Sequence, residues 1–258
     1  MKITIIGAGN MGGALARALA RQSGCGITLS TPRLAKAEAL RSEFPNIELT
    51  SGNAEAVLGA DVVFVAVKPH IVREVLAEIK RALSGAPVVS LAAGVSLADM
   101  RESLGGTYHN LFRLIPNTAL AYGRSMNLLT ASSLAREEDR LALLSLLAPT
   151  GRTICIEEKK LDAATAIASC GIAYVLKYIQ AATQAGTELG LTVAEARLLA
   201  AQAASGAAEI LLADEAAHPM TEIDRVTTPG GRTIKGINAL ERGGFATAVI
   251  DAVKASSQ

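Results

Sequence analysis

The segment "KITIIGAGNMGGALARALA", Lys2 to Ala20, limits the possible folds more than any other stretch of the chain. "KITII" has the pattern of a short buried strand, and "NMGGALARALA" that of a helix. Between them Gly7, Gly9 and Gly12 stand at G-x-G-x-x-G spacing. In a strand-turn-helix unit the three glycines serve, in order, a tight turn, close backbone approach to a pyrophosphate, and close helix–strand contact. The helix then directs free N–H groups and its positive dipole end at the phosphates. Glycine turns between strand and helix also occur without a ligand, so the surrounding pattern decides between the two.

The alternation continues. "GITLS" and "IEL" read as strands, "RLAKAEALRSEF" and "AEAVL" as helices, and "DVVFVAV" as a strand buried on both faces. The helix "IVREVLAEIKRAL", the strand "PVVSLAA", and strand-like runs around "YHNLFRLI" and "SMNLLTA" follow. This pattern predicts an α/β fold with an N-terminal Rossmann-type, doubly wound parallel sheet. From about Leu161 the pattern is helical and rich in alanine, and Thr192 with Glu195 forms a capping box. The expected division is a dinucleotide-binding domain over residues 1–157 and an all-α C-terminal domain over 158–258. The helices are apolar on more than one face, which points to packing against a partner subunit.

Composition narrows the class. Half the residues are apolar, yet aromatics are 3% and Trp is absent, so Ala, Leu, Val and Ile must build the core. A formal net charge of +1 without charge blocks implies neither a nucleic-acid nor a membrane-surface partner. Cys25, Cys155 and Cys170 are odd in number and lack metal spacing; they read as reduced, small core residues of a cytoplasmic protein. The N-terminus mimics a signal peptide, but glycines and Arg17 interrupt the apolar run, so it is expected to be retained.

Strand ends select the ligand. After the second strand come Ser30, Thr31, Pro32 and Arg33, where an NAD enzyme usually places Asp or Glu for the ribose 2′-hydroxyl. No carboxylate is there to repel a 2′-phosphate, so NADPH is preferred and NADH stays possible. Arg33 either reads the phosphate or solvates the start of the next helix. Lys68, Pro69 and His70 follow the fourth strand; Ala92, Ala93 and Gly94 follow the fifth, with room for a nicotinamide ring.

A second unusual stretch, "VTTPGGRTIKGINALE", runs from Val226 to Glu241. Taken by itself it is either a tight helix–helix turn or a cradle of backbone N–H groups for an anion. Together with "IIGAGNMGGAL", "DVVFVAVKPH", "VVSLAAGVS", "RLIPNTAL" and "DAATAIASCGIAY", it resembles the pyrroline-5-carboxylate reductase family over nearly the whole chain. The resemblance implies reduction of the cyclic imine pyrroline-5-carboxylate to L-proline with NAD(P)H, and dimerisation through the helical domain. It places Ile6, Gly7, Ala8, Gly9, Asn10, Met11, Ser30, Asn53, Ala66, Val67, Lys68, Pro69, Ala92, Ala93 and Gly94 at the cofactor. It places Glu157, Arg232 and Thr233 at the substrate, beside the turn of Gly230 and Gly231, and Arg225 within approach of the cofactor.

The chain departs from the family pattern in three places: Ser169 to Ile172, Ala119 after "PNT", and Arg232, where the family usually has a small residue or threonine. The chemistry asks for little more. An imine accepts hydride readily once protonated, so no metal is expected, and Thr233 offers a hydroxyl to the ring nitrogen. Competing readings are a reductase of a related imine or β-hydroxyacid, and a non-catalytic NADP-binding sensor. Lys177 is the one lysine well inside a helix of the second half, and no hydroxyacid-type motif surrounds it.

Overall fold

The computed structural model describes residues 1–257, apart from the side chain of Lys36. Its contacts divide the chain into two units, Met1–Ser169 and Cys170–Gln258.

The first unit holds one eight-stranded sheet. Its strands are β1 (Lys2–Ile6), β2 (Gly26–Ser30), β3 (Ile47–Thr50), β4 (Val62–Val65), β5 (Val88–Ser90), β6 (Leu111–Ile115), β7 (Ser125–Ala131) and β8 (Gly151–Cys155). They lie in the order β3-β2-β1-β4-β5-β6-β7-β8. The connection from β3 crosses back over β1 to β4, so the direction of winding reverses between β1 and β4. Ligand crevices form at such a reversal, outside the carboxyl ends of the strands.

The pairs from β3 through β6 are parallel, as expected. The "SMNLLTA" strand departs: β7 runs antiparallel to β6, pairing Phe112 with Ala131 and Ile115 with Leu128. The connection from β6 holds only a 3₁₀ turn, Thr118–Tyr122, closed by Gly123 at φ 68°. That is too short for the crossover a parallel neighbour needs. β8 then pairs parallel with β7 at the edge of the sheet.

Helices cover both faces because successive strand residues point to opposite sides. One face (Ile3, Ile5, Leu29, Phe64, Phe112) packs with α1 (Asn10–Ala20), α2 (Leu34–Glu43) and α6 (Glu137–Leu147). The other (Val63, Val65, Val88, Leu111) packs with α4 (Pro69–Ile79) and α5 (Leu97–Ser103). The helix foreseen through "AEAVL" is the single turn α3, Asn53–Ala56. A short helix α7 (Leu161–Thr165) and a π turn (Ala166–Cys170) end the unit. Leu161 is buried with Ile115 and Leu128.

The second unit comprises α8 (Gly171–Glu188), α9 (Val193–Ala213), α10 (Pro219–Val226), α11 (Arg232–Arg242) and α12 (Phe245–Ala255). The Thr192–Glu195 capping box begins α9 as expected. Among its described residues only Ala196 and Ala200 are buried hydrophobics, whereas Leu176, Leu199, Ile210, Phe245, Val249 and Ile250 are exposed. Tyr174, Tyr178, Phe245 and Val249 line an open apolar groove of about 590 Å³.

Candidate active site

The glycine turn separates structural demand from ligand demand. A Cβ on Gly12 would stand 1.9 Å from the Gly7 carbonyl oxygen, and one on Gly7 would stand 2.6 Å from that of Ala66. Gly7 also has φ +107°, a region L side chains rarely adopt. Those two glycines are therefore required by the fold. Gly9 is not: its backbone is extended (φ −74°, ψ −172°), and a Cβ there would meet nothing within 4 Å. The space beyond Gly9 is open, as a cradle for a pyrophosphate has to be. Helix α1 begins at this point without a side-chain cap, and Gly13 N donates to Gly9 O at 2.8 Å as its first closed turn. The earlier amides of α1 are left for an anion.

The same edge gathers most of the residues expected at the cofactor. Ala66 N donates to Ile6 O and Gly7 N to Ser30 O, both at 2.8 Å, which draws together the ends of β1, β2 and β4. Ser30 is buried, and its hydroxyl donates to Asn53 Oδ1 at 2.7 Å; Asn53 Nδ2 donates in turn to Glu78 Oε2 at 2.7 Å. Glu78, on α4, is a carboxylate that strand ends alone do not disclose, because it comes from a neighbouring helix. Arg33 is exposed and stands immediately before α2. Lys68 is exposed ahead of α4, whose first residue is Pro69. After β5, Ala92 is buried while Ala93 and Gly94 are exposed.

The late loop lies in the second unit. Gly230 has φ +70°, and Gly231 N donates to Thr228 O at 2.9 Å. A Cβ on Gly231 would stand 2.9 Å from the Thr228 carbonyl oxygen, closer than side chains approach backbone, so the turn itself favours glycine there. Helix α11 follows without a side-chain cap, and Arg232 and Thr233, its first residues, are both exposed. Thr233 also lines an apolar groove with Ile237, Leu240 and Phe245. Arg225 pairs with Glu222 at 2.6 Å.

Glu157 stands apart from this loop in the chain's division, since it belongs to the first unit. Its side chain is largely exposed and pairs with Lys159 at 2.6 Å and Lys160 at 3.1 Å. Hydrogen bonds from Lys159 and then Lys160 hold its carboxyl below the usual glutamate value. The cysteines are free, but Cys155 corrects the expectation of a core residue: it is exposed on the edge strand and accepts from Arg140 Nη1 at 3.2 Å. An edge strand buries only part of its length.

The sheet order and the glycine turn define a dinucleotide-binding α/β unit, joined in one chain to a helical unit with its apolar faces open. Residues 2–94 match the family described as NADP oxidoreductase, coenzyme F420-dependent, and residues 158–258 match the pyrroline-5-carboxylate reductase dimerisation family. Over its full length the chain is 34% identical to pyrroline-5-carboxylate reductase 3 of Danio rerio, covering 90% of that protein. The solved structure of the Coxiella burnetii pyrroline-5-carboxylate reductase has TM-score 0.90 at 29% identity, covering 99% of this chain and 95% of that one. The Plasmodium falciparum pyrroline carboxylate reductase, solved with NADP bound, has TM-score 0.88 at 27% identity, covering 100% and 95%. The chain belongs to the pyrroline-5-carboxylate reductase family.

Proposed function

We propose that this chain reduces 1-pyrroline-5-carboxylate to L-proline with NADPH, using the cofactor residues of the first unit and the glycine loop of the second. The observation that carries the cofactor half is Gly9, a glycine the fold does not need, facing open space before an uncapped helix. When bound, the reduced nicotinamide would supply a hydride for the imine carbon, and with a proton on the ring nitrogen the products would be proline and oxidised cofactor.

Ile6, Gly7, Ala8, Gly9, Asn10, Met11 and Gly12 present backbone to the pyrophosphate. Ser30, Asn53 and Arg33 take the adenosine ribose, with the Arg33 guanidinium on a 2′-phosphate. Ala66, Val67, Lys68, Pro69, Ala92, Ala93 and Gly94 border the nicotinamide half. At the substrate, the amides after Gly230 and Gly231 receive the carboxylate, and Thr233 donates to the ring nitrogen. Arg232 adds an ion pair to the same carboxylate. Glu157, paired with Lys159 and Lys160, completes the substrate set.

The helical unit forms a homodimer. Its open apolar faces, with Phe245 and Val249 exposed, exceed what a monomer usually leaves to water. The division of labour falls at 157/158, where the match to the dimerisation family begins. The compact first unit runs further because Leu161 packs beneath β6 and β7. No described helix is long and apolar enough to cross a membrane, and we place the protein in the cytoplasm with its cysteines reduced.

The test is NADPH oxidation with racemic pyrroline-5-carboxylate, followed at the nicotinamide absorbance band with proline measured as product. Proline should form in step with NADPH loss. Binding of NADPH without turnover would favour the sensor reading instead. Thr233→Ala should lower kcat by roughly tenfold to a thousandfold, as removal of a transition-state donor does. Unchanged kinetics would remove Thr233 from the mechanism.

A further inference from the structure

We infer that Glu158, held by Arg113, is a positioning residue that fixes the turn bordering the nicotinamide; the inference rests on the cofactor assignment above. Arg113 occupies the middle of β6 in the apolar run "LFRLI" and is only 6% exposed. Its Nη1 donates to Glu158 Oε1 at 2.9 Å, and its Nε is buried without a partner among the described residues.

An ion pair of this kind contributes little to stability by itself, because desolvation offsets much of the attraction and an apolar residue would pack as well. The arrangement points to what Glu158 does with the same oxygen: it also accepts from Leu97 N, the first amide of α5, at 2.8 Å. A buried charge is thus kept at a strand where side chains are otherwise apolar, and the carboxylate it holds reaches the start of the helix after β5.

The other end of that turn is anchored from the same row. Ser90 lies opposite Arg113 in the parallel register, and its hydroxyl accepts from Ala92 N at 3.2 Å. Between Ala92 N and Leu97 N the chain carries only Ala92, Ala93, Gly94, Val95 and Ser96. Ser96 and Asp99 close a capping box, and Arg73 from α4 pairs with Asp99 at 2.5 Å. Small residues give the turn little side-chain bulk with which to hold its own shape. Its ends supply the rigidity, and Glu158 is the anchor that reaches the Leu97 amide from outside β5 and α5.

The experiment uses the full-length protein as Glu158→Ala and Glu158→Gln, the second keeping an oxygen for the Leu97 amide. Glu158→Ala should lower kcat roughly tenfold to a hundredfold, the scale expected from misplacing a reacting group by about 1 Å. It should also speed amide exchange over residues 92–97 and change the fluorescence of bound NADPH. The dissociation constant for NADPH should hold, because the phosphate turn is untouched. Glu158→Gln should restore most of the kcat and the slow exchange. Wild-type kcat and exchange in Glu158→Ala would overturn the inference. So would equal losses in both variants that follow a fall in Tm, which would mark a purely structural pair. If the wild type failed to reduce pyrroline-5-carboxylate, the reductase reading would fail by itself. Exchange and bound-cofactor fluorescence would then still decide whether Glu158 positions the turn.

Discussion

The two units of this chain solve the burial problem in opposite ways. The first closes its own core: every strand from β1 to β7 contributes buried residues, and helices cover both faces of the sheet. The second leaves nearly all of its large apolar side chains open, with two alanines as its only buried hydrophobics among the described residues. A sheet with helices on both faces can exclude water within one chain. Alanine-rich helices exposing Leu, Ile and Phe on several sides cannot, and they need a second surface. On the proposed function, nucleotide binding falls to the first part of the sequence and assembly to the second, and the two should be separable by mutation.

The largest expected effect comes from charging the open unit. Phe245→Glu, on the groove with Tyr174 and Val249, should convert the proposed dimer to monomer or aggregate, because an unpaired charge is costly to bury. Sedimentation analysis would check this, and a stable wild-type monomer would erase the contrast between the units. Within the closed unit, two glycines should part company. Gly12→Ala should unfold or strongly destabilise the protein, since its Cβ would lie 1.9 Å from a carbonyl oxygen. Gly9→Val should fold with a near-native melting curve yet lose NADPH affinity in a fluorescence titration. Equal melting losses in the two would deny Gly9 its ligand role.

A smaller change is expected at Arg33. Arg33→Ala should raise the KM for NADPH about tenfold, the low end for one charge-assisted hydrogen bond, and leave that for NADH alone. Equal effects on both cofactors would show that Arg33 only solvates α2. The smallest effect is one of pH. Hydrogen bonds from the Ser96 side chain and backbone hold the Asp99 carboxyl below its ordinary value. Its contribution to stability is fully present above the ordinary value of 3.8 and is lost as pH falls through the lowered one. An NMR titration of Asp99 should show the depression, and Ser96→Ala should reduce it.

Much of the fold is legible in the sequence because strand and helix periods alternate clearly through "DVVFVAV" and the segments around it. The antiparallel turn at β7 is not, because "SMNLLTA" alone carries no direction; the short connection through Gly123 decides it. The edge strand "GRTIC" is hidden by its partial exposure, which erases the apolar signature of a buried strand. At the site, the glycine turn and the late "TTPGGRT" loop stand out through residues that backbone geometry demands. Glu78 and Glu158 do not, since each acts on a partner distant in sequence. Arg113 carries a signal, a charge inside an apolar strand, which is lost when the run is read by its hydropathy.

Following the transferred atom would test hydride delivery to the imine without intermediaries. NADPH carrying deuterium at the reactive C4 position should yield L-proline labelled at the ring carbon that was the imine carbon, one deuteron per cofactor oxidised. Oxidised cofactor without labelled proline, or proline labelled elsewhere, would rule out direct transfer to this substrate.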